Sequence, residues 1–384
     1  MKSVNECNSF ELGPIRPPSE AGSLILRVTR NCPWNRCKFC GLYKGEKFSL
    51  RPVADVIKDI DSIKHYAGMI LEAVASRDGS GIQQIAAHLS ADDRGCTLAL
   101  QAAVNWISGG MESVFLQDAN TMIVKPDDLV KILTHLRNTF PGIRRVTSYA
   151  RSSTLVRIKD SDMRRIFDAG LNRIHVGMES GSDRVLKLVD KGIDKAGHII
   201  AGRKVKRAGM ELSLYYMPGL GGEGFSRENA LETADAVNQI DPEFIRIRTL
   251  AIPVETGLHE EVRAGRFKPL GDRKAAEELL LFIEHLEGIH SSVKSDHVLN
   301  LLQEVEGRLP DGKTAMAEPL RRFLAMHEND QLIFIVGRRT GIFSKLGEVA
   351  DPYLRSHAEK AMLAYKVTAD NVDDFTAEMT RRFI

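Results

Sequence analysis

From Ser23 onward the chain alternates short apolar runs with longer amphipathic ones, and this alternation restricts its fold more than any other feature. The short runs are Leu24–Thr29, Ser113–Gln117, Val146–Ala150, Arg173–Met178, Leu212–Met217 and Phe244–Leu250. Their length and β-branched content are those of buried strands. Helical periodicity occupies Pro126–Thr139, Ser161–Ala169, Asp194–Ala208, Arg227–Gln239 and Arg273–Glu287. Gly170 and Gly209 stand where two of these helices would end in a left-handed cap. Parallel strands need helical crossovers, so the pattern predicts an α/β fold around a parallel sheet. The spacing fits a partial (β/α)6 TIM-like barrel better than an open doubly wound sheet.

The crossover from Leu50 to Gly110 is too long for one helix, and predicts two or three: Val53–His65, a middle segment around Ile70–Ala87, and Thr97–Ser108. Past about Ser291 only helices are expected, over Pro310–Met326, Tyr353–Tyr365 and Asp373–Phe383. The expected organisation is an N-terminal extension over residues 1–22, a core over 23–290 and a C-terminal helical subdomain over 291–384. The stretch Pro253 to Leu270 is read as a long loop suited to covering a site.

Two strands carry charge on one face. Ile245 and Ile247 alternate with Arg246 and Arg248, while Ile174, Val176 and Met178 alternate with Arg173, His175 and Glu179. Period-two alternation sends each set to one side of a sheet. If the aliphatic set packs on helices, the polar set faces the barrel interior. A closed barrel usually fills that interior with Val, Ile and Leu, and unpaired buried charge is costly. These strands therefore predict either an occupied active site or charges that pair with one another. Inward arginines suit a small-molecule substrate bearing carboxylate or phosphate groups.

The 53 basic and 51 acidic residues are well mixed and leave a net charge of +2. This balance gives no electrostatic case for a nucleic-acid partner. No apolar h-region lies in Met1–Pro18 and no run approaches the roughly 20 apolar residues of a membrane span. A cytoplasmic location is expected, where cysteines more often serve metals or catalysis than disulfides. Three of the five cysteines fall in Asn31-Cys32-Pro33-Trp34-Asn35-Arg36-Cys37-Lys38-Phe39-Cys40-Gly41. This stretch follows the first strand directly, at the face where β/α barrels do chemistry. Three thiolates are one short of a four-ligand structural zinc site. Cys7, Cys96 or His65 could supply a fourth ligand, so a zinc-stabilised domain stays open. The other reading is an iron–sulfur cluster that keeps one iron for an external ligand. Cys7 and Cys96 show no pairing pattern of their own.

The cysteine stretch resembles the signature of the radical S-adenosylmethionine (SAM) superfamily, in which a loop after the first strand wraps a [4Fe–4S] cluster. The resemblance implies that Cys32, Cys37 and Cys40 hold the cluster and that its open iron binds the amino and carboxylate groups of SAM. It further implies reductive cleavage of SAM to a 5′-deoxyadenosyl radical that abstracts hydrogen from substrate. An electron donor such as flavodoxin or ferredoxin follows from that chemistry. Phe39 matches the aromatic position that packs on the adenine. The usual spacing is three residues then two; here it is four then two, which puts transfer of fine loop geometry in doubt.

The likeness extends from about Ser23 to Ser291. Gln117 and Asp118 close the second strand where the family binds the SAM amino group, although the usual Gly-Gly-Glu is missing and a plain strand-end turn reads equally well. Val176-Gly177-Met178-Glu179-Ser180-Gly181-Ser182-Asp183 is similar to the fourth strand of oxygen-independent coproporphyrinogen dehydrogenases and methylthiotransferases. Glu179 would there bind the ribose hydroxyls, and Lys191 matches a basic position that holds the SAM carboxylate. Tyr215 matches a ribose contact, while Ser148 and Arg151, ending the third strand, would serve SAM or substrate. Asp296 and His297 form a candidate acid/base pair with Asn300 one turn on, or else an ordinary helix cap. Alternatives kept open are a haem- or tetrapyrrole-binding chaperone with this fold and a tRNA-modifying radical SAM enzyme.

Overall fold

A computed structural model describes residues 10–75 and 94–382. The chain divides into two compact units. The first takes the described residues up to Pro33, Gly45–His175 and Lys204–Glu211; the second takes Trp34–Lys44, Val176–Arg203 and the chain from Leu212 onward.

In the first unit, β1 (Leu24–Arg27) is an apolar, almost wholly buried strand. Next come β2 (Thr29–Arg30) and β3 (Ser49–Leu50), which pair antiparallel with Thr29 opposite Leu50. The long crossover contains α1 (Val53–Ala75) and α2 (Arg94–Ser108). Helix α1 runs ten residues past the expected end at His65 because its apolar spacing continues through Tyr66, Ala67 and Ile70, all buried. The expected middle helix over Ile70–Ala87 is thus absorbed at its start, and its remainder lies outside the described residues. Strand β4 (Ser113–Gln117) lies parallel to β1, with Arg27 opposite Gln117. After it come α3 (Pro126–Thr139), β5 (Arg145–Ala150), α4 (Ser152–Leu155) and α5 (Asp160–Asp168). Strand β5 continues the parallel pairing, Leu116 opposite Ser148. Pro126 and two aspartates in the first turn of α3 supply what a helix start favours. Gly170, at φ 115°, ends α5 as expected.

Strand β6 (Arg173–Glu179) passes from the first unit into the second at Val176. The chain continues with α6 (Asp183–Leu188), α7 (Lys195–Arg207), β7 (Glu211–Tyr216), α8 (Gly222–Ile240) and β8 (Phe244–Ile247), all in the second unit except Lys204–Glu211. Strands β7 and β8 are parallel, with Tyr215 opposite Arg246. Helices α9 (Gly257–Arg263) and α10 (Asp272–Glu284) lead to β9 (Ser292–Lys294), which is parallel to β8. The fully buried rings of Tyr216 and Phe282 stack at 4.2 Å, seating α10 on β7. Burying a ring of this size stabilises the fold by roughly 1.5–3 kcal/mol. The chain ends with β10 (Gly307–Arg308), α11 (Lys313–Ala325), α12 (Glu328–Arg339), α13 (Pro352–Ala364) and α14 (Val372–Arg381).

The class is the α/β one read from the sequence: mostly parallel strands, helices between them, and a helical C-terminal region. Three expectations are corrected. Helices do not begin at Ser291, because β9 extends the parallel pairing and β10 pairs antiparallel to it. The Pro253–Leu270 loop contains α9, started by Thr256, whose hydroxyl accepts from the His259 amide. Strand β8 stops at Ile247, so Arg248 leaves the strand and is exposed rather than inward. Among the described residues no helix is long and apolar enough to cross a membrane.

Candidate active site

The ribbon of β2 and β3 closes the base of the segment that holds the three cysteines. Asn31 and Asn35 take left-handed backbone angles, φ 65° and 47°, which Asn tolerates better than most residues. The Asn31 amide donates to Asp118 at 3.1 Å, and its side chain donates to the Lys47 carbonyl at 2.7 Å. Cys37 is buried, while Cys32 and Cys40 are half-buried.

Within the second unit the cysteine loop is tied on both sides. The Lys38 amide donates to the Val189 carbonyl at 2.9 Å, and the Leu258 amide donates to the Lys38 carbonyl at 2.8 Å. The Lys38 ammonium lies 2.9 Å from Glu261. These bonds present Phe39 to an apolar cluster of Val185, Val189, Met217 and Leu220. The Lys191 ammonium sits 5.5 Å from the centroid of the Phe39 ring and 3.3 Å from the Glu179 carboxylate. Three residues singled out in the sequence therefore meet: one from the cysteine loop, one ending β6, and one beyond α6.

Glycine at 177 makes this meeting possible. A Cβ there would stand 2.3 Å from Glu179 Oε1 and 3.3 Å from Lys191 Nζ. Glu179 itself holds φ 67°, a conformation that costs a non-glycine residue energy and clusters at functional sites. Its carbonyl accepts from the Met217 amide at 2.9 Å, which fixes it beside the end of β7.

The first unit treats its candidates differently. Gln117 is buried, accepts from the Gly13 amide at 2.7 Å, and donates to the carbonyls of Gly13 and Ile15. Asp118 is fully buried and takes two hydrogen bonds from Arg27, at 2.8 and 3.1 Å. Both side chains thus hold their own chain together, which the plain strand-end alternative anticipated. Arg151 follows β5, and its amide donates to Asn120 at 3.1 Å. Ser148 is fully buried on β5, and its hydroxyl has no hydrogen-bond partner among the described residues. A buried hydroxyl in that condition is available to a ligand.

Tyr215 lies on β7 beside Arg246 in register. Arg246 is buried, bonded to Ser213 at 3.3 Å and ion-paired with Asp296 at 3.1 Å. That pairing matches the second of the two readings given for the charged strand faces. The buried charge at Arg246 is compensated from within, and Asp296 serves this arginine. No helix starts at Asp296; Asn300 instead accepts from the Thr249 amide and donates to the Ile247 carbonyl. His297 Nδ1 accepts from the Leu299 amide at 3.2 Å, leaving Nε2 to carry the proton. Burial and the nearby Arg248 charge outweigh the opposing pull of Asp296 and lower His297 to about 4, so it is neutral at pH 7.

Sequence reasoning missed Glu278. Buried on α10, it accepts from Tyr216 at 2.8 Å, the Gly219 amide at 3.0 Å, Ser226 at 2.6 Å and Asn229 at 2.7 Å. Burial raises its pKa against those donors, and it fixes the turn after β7. In an amphipathic helix it reads like any surface glutamate, so the sequence carried no signal. Cys96 is in a disulfide, contrary to the lack of pattern in the sequence, and Cys7 lies outside the described residues.

Three cysteines in nine residues, on a loop closed at its base, fit a cluster that leaves one iron for a further ligand. Among the described residues the side chains of His, Cys, Asp and Glu form no ready-made group of three around a metal position, so the fit rests on the donor set and its spacing.

Residues 98–234 match the family profile described as Radical SAM superfamily. A curated relative is the tRNA uridine(34) acetyltransferase of Methanocaldococcus infernus, 24% identical over 119 residues, 31% of this chain and 22% of that protein. Among solved structures, Methanocaldococcus infernus Elp3 lacking its N-terminus is 15% identical, with a TM-score of 0.43. That likeness covers 59% of this chain and 58% of that one. Coproporphyrinogen III oxidase (HemN) from Escherichia coli is 12% identical with a TM-score of 0.44, covering 69% of this chain and 52% of that one. The chain thus spans under a quarter of the curated relative and just over half of each of these structures. The cofactors of the matched superfamily are a [4Fe–4S] cluster and SAM. Over residues 98–234, about a third of its length, this chain is thus similar to the radical SAM superfamily.

Proposed function

We propose that this chain is an enzyme that cleaves SAM reductively at a [4Fe–4S] cluster held by Cys32, Cys37 and Cys40. Its second substrate is a small molecule bearing carboxylate or phosphate groups. The observation that carries this reading is the convergence of Phe39, Lys191 and Glu179 behind the cysteine loop. Bound together, cluster and SAM supply one-electron cleavage of the sulfonium and a radical able to abstract hydrogen.

The residues of the chain do the binding and orienting. Lys191 is placed to take a carboxylate, and Glu179 to accept from two neighbouring hydroxyls, as a ribose offers. Their mutual ion pair keeps both charges compensated until a ligand exchanges for it. Phe39 offers a ring face backed by a packed apolar cluster. Ser148, Arg151 and Tyr215 are further candidates for the nucleoside or substrate. Arg246, with Asp296 beside it, is the substrate-side cation; Arg248 and the neutral His297 stand next to that pair. A cytoplasmic setting with a flavodoxin- or ferredoxin-type donor completes the proposal.

The test is anaerobic reconstitution with iron and sulfide, then SAM and dithionite, with 5′-deoxyadenosine read by mass spectrometry. We expect production that disappears in the Cys32→Ala, Cys37→Ala and Cys40→Ala variants. A loaded cluster without cleavage would turn attention to haem binding, and failure to load any cluster would sink the reading. A second reading, modification of tRNA, is favoured only by the curated relative whose name carries that substrate. Filter binding to bulk tRNA, compared with a small anionic substrate screen, separates the two.

A further inference from the structure

The segment between the first two cysteines, Pro33 to Arg36, is one residue longer than the spacing usual in the superfamily. Its Trp34 is engaged from three directions. The indole Nε1 donates to the Asp190 carbonyl at 2.8 Å. The Arg36 guanidinium lies 5.1 Å from the ring centroid. Against the ring stands the backbone of Gly192, where an added Cβ would come within 2.3 Å of Trp34 Cζ2. Gly192 also holds φ 72°, so both space and backbone exclude a side chain there.

Asp190 and Gly192 flank Lys191. The Val189 carbonyl, one residue earlier, accepts the Lys38 amide from the same cysteine loop. The short turn that carries Lys191 is therefore bonded to the loop through two successive carbonyls and covered by an indole. With its peptide neighbours fixed, the lysine has little choice but to extend toward Phe39 and Glu179, where it is found. We propose that Trp34 is a positioning residue, using the longer first interval between cysteines to set where Lys191 meets the carboxylate of SAM. This rests on the function proposed above, and gives the extra residue of the cysteine motif a purpose.

Reconstituted wild type, Trp34→Phe, Lys191→Met and the double variant are compared for iron content and for SAM affinity by equilibrium dialysis. Trp34→Phe should keep its iron and bind SAM about two- to tenfold more weakly, the worth of one hydrogen bond. Because Trp34 acts through Lys191, the double variant should bind no more weakly than Lys191→Met alone. Wild-type affinity in Trp34→Phe, or additive losses in the double variant, would overturn the proposal. A readout without cofactors tests the clasp itself. The chain has two tryptophans, and Trp106 is buried, so acrylamide quenching of fluorescence in the apoprotein reports chiefly on Trp34. Gly192→Ala should increase that quenching, and unchanged quenching would overturn the clasp. A wild-type chain that loads a cluster yet ignores SAM defeats the proposed function instead, while the quenching comparison still decides the clasp.

Discussion

The end of β4 and the end of β6 look alike in sequence and behave unlike each other in the fold. Each offers a carboxylate where a strand runs out. At β4, Asp118 is fully buried and gripped twice by Arg27, with Gln117 holding the segment around Gly13. At β6, Glu179 reaches a single lysine at 3.3 Å, beside an aromatic face and with a glycine left open next to it. The lesson is about competition. A polar group whose own chain already supplies its partners has little to offer a ligand. One held by a single exchangeable contact keeps its capacity.

This contrast can be broken most sharply at Asp118. Asp118→Ala leaves the half-buried Arg27 with Glu11, at 3.2 Å, as its remaining carboxylate, and should lower stability by about 3 kcal/mol in urea unfolding. SAM affinity of the folded fraction should change less than about twofold, below the value of one hydrogen bond. A tenfold loss of affinity at unchanged stability would instead make the end of β4 part of the cofactor site.

A second carboxylate of the first unit sharpens the same point. Glu20 is fully buried, a situation that by itself raises its pKa. The His175 ring at 3.6 Å, with hydrogen bonds from Ser23 at 2.6 Å and Arg145 at 3.2 Å, more than offsets this and holds it at about 2. The folded value lies below the ordinary 4.5, so the stabilisation is complete above pH 4.5 and is lost as pH falls toward 2. Unfolding measured between pH 6 and pH 3 should show wild type losing roughly 2 kcal/mol more than Glu20→Gln over that range. Parallel curves for the two proteins would show that this carboxylate is not held from within.

The smallest energy belongs to β6. Glu179→Gln should weaken SAM binding about tenfold, equivalent to about 1.4 kcal/mol, with stability altered by less than about 1 kcal/mol. A large stability loss with intact binding would reverse the contrast.

Much of this could be read beforehand. Strand β4 and helix α3 ended where their apolar periodicity ended, because neither competes with a site. Phe39, Glu179 and Lys191 were legible through the motifs around them, and the fold brought them together. Arg248 was misread because period two was carried past Ile247, where Asn300 takes over the backbone groups at the end of the strand. Asp296 looked like a partner for its neighbour in sequence, but an arginine fifty residues away holds it instead. Glu278 and the Trp34 clasp depend on long-range approach, which periodicity cannot report.

The small ribbon of β2 and β3 has one more consequence. By tying Thr29 and Arg30 to Leu50 and Ser49, it makes closure of the cysteine-bearing loop part of folding. The entropy of that closure then drops out of the affinity for iron, unlike in small domains that fold only around their metal. On the function proposed above, a chelator is expected to empty such a ring while the protein stays folded.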